Sequence, residues 1–190
     1  MFRSLVLLAA VSMSGAAFAQ DLDYNFVQAS YGQFELDGVD VDGDGFGIGG
    51  SVAVSDSFHL FGSYATADFD FGVDMNTLSL GVGYNTPVAE SIDLIASLAY
   101  VSAEVEVPGF GSDDDSGYGL GVGLRGMASP AVELQGGISY VDFGGNSDGD
   151  TSFGAGLLYH FSESFAAGVS GEWGDDISSY QLNGRFFFGQ

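Results

Sequence analysis

The sequence predicts an all-β chain that crosses a bilayer as a closed, antiparallel up-and-down β-barrel. Three observations carry this. The chain opens on an export leader. Nearly everything after it alternates with period two, in blocks of about ten residues, the length a tilted strand needs to cross a bilayer. And although 46% of residues are hydrophobic and 14% aromatic, no apolar stretch after the leader reaches the roughly 18 residues of a spanning helix.

Residues 1–19 read as a signal peptide. Arg3 supplies the positive charge, Leu5 to Met13 form an apolar core, and Ala17-Phe18-Ala19 fits an A-x-A site cut before Gln20. The alternative, a short transmembrane helix, is disfavoured because the core is too short to span. Residues 20–190 then form one domain, too few for two.

Without Arg3, the only cations are Arg125 and Arg185, set against 26 acids, and lysine is absent. Phosphate binding needs a basic face, so nucleic acid is excluded as a partner. There is no cysteine, which removes disulfides, thiol chemistry and Cys-ligated metals. The 31 glycines and the aromatic content make the chain too apolar for a disordered acidic tail.

Ten strands are expected, roughly 23–36, 44–54, 58–68, 75–85, 91–104, 117–127, 131–143, 151–161, 165–173 and 177–188. Phe46, Ile48, Val52 and Val54 alternate with glycine and small residues. So do Leu78, Leu80, Val82 and Tyr84, then Tyr118, Leu120, Val122 and Leu124. Val132, Leu134, Ile138 and Tyr140 continue the pattern, followed by Phe153, Ala155, Leu157, Tyr159 and Phe161, and by Tyr180, Leu182, Phe186 and Phe188. In the first strand Tyr24 and Phe26 fall out of phase with Val27, Ala29 and Tyr31. Eight strands is the fallback, if two shorter segments are loop excursions.

The connectors alternate between two classes. Ser55-Asp56-Ser57, 86–91, Ala128-Ser129-Pro130 and Ser162-Glu163-Ser164 are short. The segments 37–43, 68–74, 104–116 and 144–150 are acidic and glycine-rich, and Gly174-Asp175-Asp176 is a tight fifth member. In membrane barrels short turns are periplasmic and longer loops face outside, so both termini are expected in the periplasm.

A soluble lipocalin-like barrel also alternates, but it turns its large apolar residues inward. Here the intervening set is Gly, Ser, Thr, Gln, Glu and Arg, which suits a polar lumen. Tyr84, Tyr100, Tyr118, Tyr140, Tyr159, Phe161, Phe165 and Trp173 stand at the ends of the apolar set, where interface girdles sit. Lipid outside is therefore expected, and backbone pairing in hydrocarbon requires the sheet to close.

The run Asp44-Gly-Phe-Gly-Ile-Gly-Gly-Ser-Val-Ala-Val54, then Ser57-Phe-His-Leu-Phe-Gly-Ser-Tyr64, then Leu80-Gly-Val-Gly-Tyr-Asn85 resembles a known group. This is the small outer-membrane barrel family of xanthomonad-like bacteria nicknamed Ax-twenty-one, first described as an activator of a rice immune receptor. The resemblance implies an outer-membrane or vesicle-associated barrel with links to signalling, motility or biofilm behaviour. It implies no molecular activity and no catalytic residues. The chain departs from the aromatic ending common in such barrels by continuing from Phe188 to Gly189-Gln190.

Asp40, Asp42 and Asp44 with Gly45 match the opening of a calcium loop, D-x-D-x-D-G. Asp113, Asp114, Asp115, Asp148 and Asp150 add carboxylates on the same side. The twelfth loop position is Ser51 rather than Glu, which argues against a tight site. The choice lies between solvated acidic loops and weak calcium or magnesium binding that bridges to anionic lipid, with no other cofactor expected.

Arg125 and Glu133 both face the lumen, four residues either side of a turn centred on Ser129, and are expected to be direct cross-strand partners. Arg185 and Glu172 also point inward as lumenal ion-pair residues. Two readings stay open: a salt-bridged plug and a charged constriction that gates a narrow channel for small solutes. His59 and His160 sit beside short turns, and no HExxH motif occurs. The expected protein is therefore non-enzymatic, with a structural, surface-interaction or signalling role. Its expected partners are outer-membrane lipid, lipopolysaccharide and the assembly machinery, and it is expected to be a monomer.

Overall fold

The computed structural model describes residues 23–36, 41–144, 149–175 and 177–189. The leader at 1–19, Asp40 and Asp148 lie outside the described residues. Ten antiparallel strands run in chain order: β1 (Phe26–Leu36), β2 (Asp42–Ala53), β3 (Phe58–Phe69), β4 (Val73–Ala89), β5 (Ile92–Val107), β6 (Gly111–Ser129), β7 (Val132–Asp142), β8 (Asp150–His160), β9 (Phe165–Gly174) and β10 (Ile177–Phe187). Each pairs with its sequence neighbours. β1 closes on β10 from Phe26↔Phe187 to Leu36↔Ile177, which leaves no free edge. Ten strands stand, not the eight-strand fallback.

The first strand keeps one phase. Tyr24 and Phe26 are each 3% exposed and point inward, while Val27 and Tyr31 face out. Aromatics fill the lumen at this end, so a rule that sends large apolar residues to lipid misplaces them. Elsewhere Ile48, Leu80, Leu98, Val122, Ile138, Val169 and Leu182 stand exposed on the outer wall, as a lipid-facing band requires.

Two expectations are corrected at the end away from the termini. The first is the position of the acidic residues. Asp42 and Asp44 lie in β2, Asp113, Asp114 and Asp115 in β6, and Asp150 in β8, so they belong to strands rather than loops. The segment 104–116 is the tip of a long β5–β6 hairpin, paired out to Val107↔Gly111. The second is the polar lumen. Phe34, Ala67, Phe69, Met75, Ala103, Val105 and Ile177 form a buried apolar cluster inside this end.

Along β5 the outer face carries Leu94, Leu98 and Tyr100 and then, past Tyr100, Glu104 and Glu106, while the inner face is largely apolar throughout, with Ile95, Ala99, Val101, Ala103 and Val105. Beyond the girdle the outer wall meets water instead of lipid, so acids replace aliphatic side chains on that face. Girdle phenols mark the switch by donating toward polar groups: Tyr31 to Asp44 at 3.2 Å, Tyr64 to Asn76 at 2.9 Å and Tyr118 to Asp142 at 3.2 Å.

Candidate lumenal site

At the termini end the lumen is filled around one carboxylate. Glu133, near the start of β7, is 1% exposed. Its Oε1 accepts from Arg125 Nε at 2.7 Å and from Arg185 Nη1 at 3.3 Å. Its Oε2 lies 2.8 Å from His160 Nε2. One acid thus holds three basic side chains drawn from β6, β8 and β10.

The register differs from the expected one while the contact persists. Arg125 stands opposite Gln135, and Glu133 opposite Met127, with a bulge between Met127 and Ser129. The hairpin turns at Pro130-Ala131, where Ser129 Oγ accepts from the Ala131 amide at 3.4 Å, rather than at Ser129. That moves the pairing by two residues. A two-residue shift keeps both side chains on the same face, so the pair meets on the diagonal instead of directly.

Aromatic faces and amides complete the cluster. Arg185 donates to Gln28 Oε1 through Nε at 2.9 Å and Nη2 at 2.7 Å, and its guanidinium lies 4.6 Å from the Phe26 ring centroid. The Arg125 Nη atoms find no acceptor among the described residues. Its guanidinium instead lies 5.7 Å from the Tyr24 ring centroid, a cation–π arrangement. Tyr24 stacks on His59 at 4.3 Å and donates to Asp93 Oδ2 at 3.1 Å. His59 Nδ1 is 3.4 Å from Asn85 Oδ1. A Cβ on Gly83 would overlap the His59 ring, and one on Gly81 would meet Phe61 at 2.5 Å. These inward glycines let aromatic rings lie flat against the wall.

Sequence reasoning missed Tyr24, Gln28, Asp93 and the inward direction of His160. Three of these carried a usable signal. Asp93 sits between outward Ile92 and Leu94, His160 between outward Tyr159 and Phe161, and Gln28 between outward Val27 and Ala29.

Glu172 does not join this cluster, contrary to the expected grouping with Arg185. It stands opposite Ser179, whereas Arg185 stands opposite Ala166. The six-residue offset separates them by about 20 Å along the strand, because phase fixes a residue's face and not its height. Glu172 accepts from Ser152 Oγ, which lies 2.7 Å from Ser139 Oγ. Between the two levels is a cavity of about 120 Å³, lined by residues including Gln28, Ser63, Gln135, Ser139, Ser170 and Glu172. The strand carboxylates at the far end, including Asp42, Asp44, Asp113, Asp114, Asp115 and Asp150, do not converge. Among the described residues no three His, Cys, Asp or Glu side chains are placed to hold a metal ion.

The family described as the outer membrane protein beta-barrel domain matches residues 4–161. The chain belongs to this family. Membership in the outer membrane beta-barrel family sets the barrel in that membrane, as the outer apolar band requires. Several solved barrels are similar in fold. The KdgM porin shows 12% identity and a TM-score of 0.48 over 85% of this chain and 99% of that one. OprG from Pseudomonas aeruginosa shows 11% identity and a TM-score of 0.48 over 92% and 100%. Neisserial surface protein A shows 15% identity and a TM-score of 0.45 over 86% and 96%. No curated protein matches the chain.

Proposed function

We propose that the chain is a non-enzymatic outer-membrane barrel with a largely blocked lumen and a structural or surface-interaction role. Both termini and the short turns face the periplasm, and the acidic hairpins face outside. The observation that carries this reading is the Glu133 cluster. Arg125, Arg185 and His160 converge on one carboxylate, and Tyr24, Phe26 and Phe187 fill the same level, each 3% exposed. Such a layer supports a lumen closed to hydrated solutes.

The surface role is supported by the outer hairpin tips. Phe71 and Phe110 are 85% and 86% exposed, and Phe71 holds a φ of 65°. A non-glycine residue in that left-handed region carries strain, and burial of its ring does not repay it. The narrower resemblance to the Ax-twenty-one family, with its signalling link, fits this reading. A narrow channel for small solutes is the second reading, favoured by the mid-lumen cavity.

Liposome swelling separates the two. Proteoliposomes carrying the folded barrel should swell no faster than empty liposomes in small sugars or amino acids. Swelling that slows with increasing solute size would establish the channel.

A further inference from the structure

The hairpin end carries two features that the barrel itself does not use. The first is a ladder of like charges. Asp44 stands directly opposite Asp68, Asp68 opposite Asp74, and Asp74 opposite Glu106. Four carboxylates thus lie abreast on the outer face of β2 to β5, at the strand spacing of about 4.8 Å. Like charges directly opposite one another destabilise a sheet. No cation offsets them: lysine is absent, and Arg125 and Arg185 are held in the Glu133 cluster at the other end. The crowding shows at Asp68, whose carboxyl is held above the usual carboxylate range by its hydrogen bond to Asp74.

The second feature is aromatic. Phe71 and Phe110 cap neighbouring hairpins, β3–β4 and β5–β6, whose tips touch: a Cβ on Gly72 would lie 3.2 Å from Pro108 Cγ. Phe71 and Gly72 both hold positive φ, a conformation that Gly, Asn or Asp ordinarily fill in such turns. Phe110 closes a Pro108-Gly109 turn, its amide donating to the Val107 carbonyl at 3.0 Å. Defined turns therefore hold both rings out in water, at Phe71 against the local preference.

We infer that these two hairpins dock a polypeptide with a basic, amphipathic surface. Its Lys or Arg side chains lie over the Asp44–Glu106 ladder, and its aliphatic side chains surround the Phe71 and Phe110 rings. This deepens the surface-interaction role and rests on it for the side of the membrane. Charge complementarity selects the partner, and exposed aromatic rings are the usual anchors of an interface. Phe71 lies three residues past Asp68 and Phe110 four past Glu106, at most about 10 and 14 Å of chain, so one short segment reaches both features. An anionic lipid surface is repelled by the ladder. A divalent metal lacks a cage, because the strand spacing keeps the carboxylates in a line, and among the described residues no three are placed to hold an ion.

The test is fluorescence anisotropy of labelled octapeptides with the barrel in phosphatidylcholine nanodiscs at physiological salt, with empty nanodiscs as the blank. Wild type should bind an alternating Lys-Leu peptide saturably, a Lys-Ser peptide at least about tenfold more weakly, and a Glu-Leu peptide not at all. Phe71→Asn should weaken Lys-Leu binding at least about tenfold, the scale of one interface aromatic. It should fold as well as wild type, because Asn suits the left-handed backbone. Asp74→Asn with Glu106→Gln should weaken both basic peptides and flatten their salt dependence. Asp56→Asn with Glu90→Gln, exposed acids of the short turns at the other end, should change nothing. No saturable Lys-Leu binding beyond the blank would overturn the inference. So would equal affinity for Lys-Leu and Lys-Ser, or equal weakening by the two acidic pairs, which would mean that net charge merely gathers cations. Both faces of a nanodisc are open, so this binding does not depend on sidedness. Sidedness is read alone by Ser112→Cys and a membrane-impermeant maleimide on intact cells, where failure to label would overturn the outward placement and leave the partner chemistry standing.

Discussion

Glu133→Ala should be the most costly single truncation inside the lumen, on the order of 3–5 kcal/mol. Removing this carboxylate leaves Arg125 and Arg185, each 1% exposed, as like charges with their shared acceptor gone. Gln28 still serves Arg185, but Arg125 loses the one hydrogen bond it makes among the described residues. Arg125→Met should cost less, because Glu133 keeps Arg185 and His160. The pair Arg125→Met with Glu133→Gln should cost less than the sum of the single changes, since the double variant buries one fewer unmatched charge. Urea unfolding of the folded barrel, run as a double-mutant cycle, reads the coupling. A coupling of zero would mean that water screens the pair and that the layer is not dry.

The second large effect is expected on the outer wall. Leu98, 51% exposed on β5, faces lipid below the Tyr100 girdle. Leu98→Arg should cost about 2–4 kcal/mol in a bilayer, the range for a cation near mid-depth. Glu104 shares that outer face of β5, six residues further on and past Tyr100. Glu104→Arg should cost less than about 1 kcal/mol, because it sits in water among other acids. Denaturant unfolding in lipid vesicles, with heat-modifiable gel migration as the readout of folding, compares the two. Equal costs would contradict the change from lipid to water at the girdle.

Strand number, order and phase were legible in the sequence because lipid imposes one strict rule on the outer wall. Leu120, Val122 and Leu124 point out, so Arg125 must point in. Height and register were less legible. The Arg125–Glu133 contact survived a two-residue error because such an error preserves the face, whereas grouping Arg185 with Glu172 failed because nothing in alternation reports height. The interior was harder still. Tyr24 shares the inward phase of Phe26 and Gln28, but a rule that sends large apolar rings to lipid reads it as out of phase. The apolar cluster around Phe34, Phe69 and Val105 was hidden because inward positions were read as polar, whereas Ile95, Ala99 and Val101 on β5 also face in.

Single-channel recording in planar bilayers tests the blocked lumen most directly. The wild-type barrel should insert without stable conductance steps, and Tyr24→Ala combined with Arg125→Ala should bring openings by removing the ring and guanidinium that share one level. Stable, uniform openings of the wild-type protein would contradict the blocked lumen and establish a narrow pore.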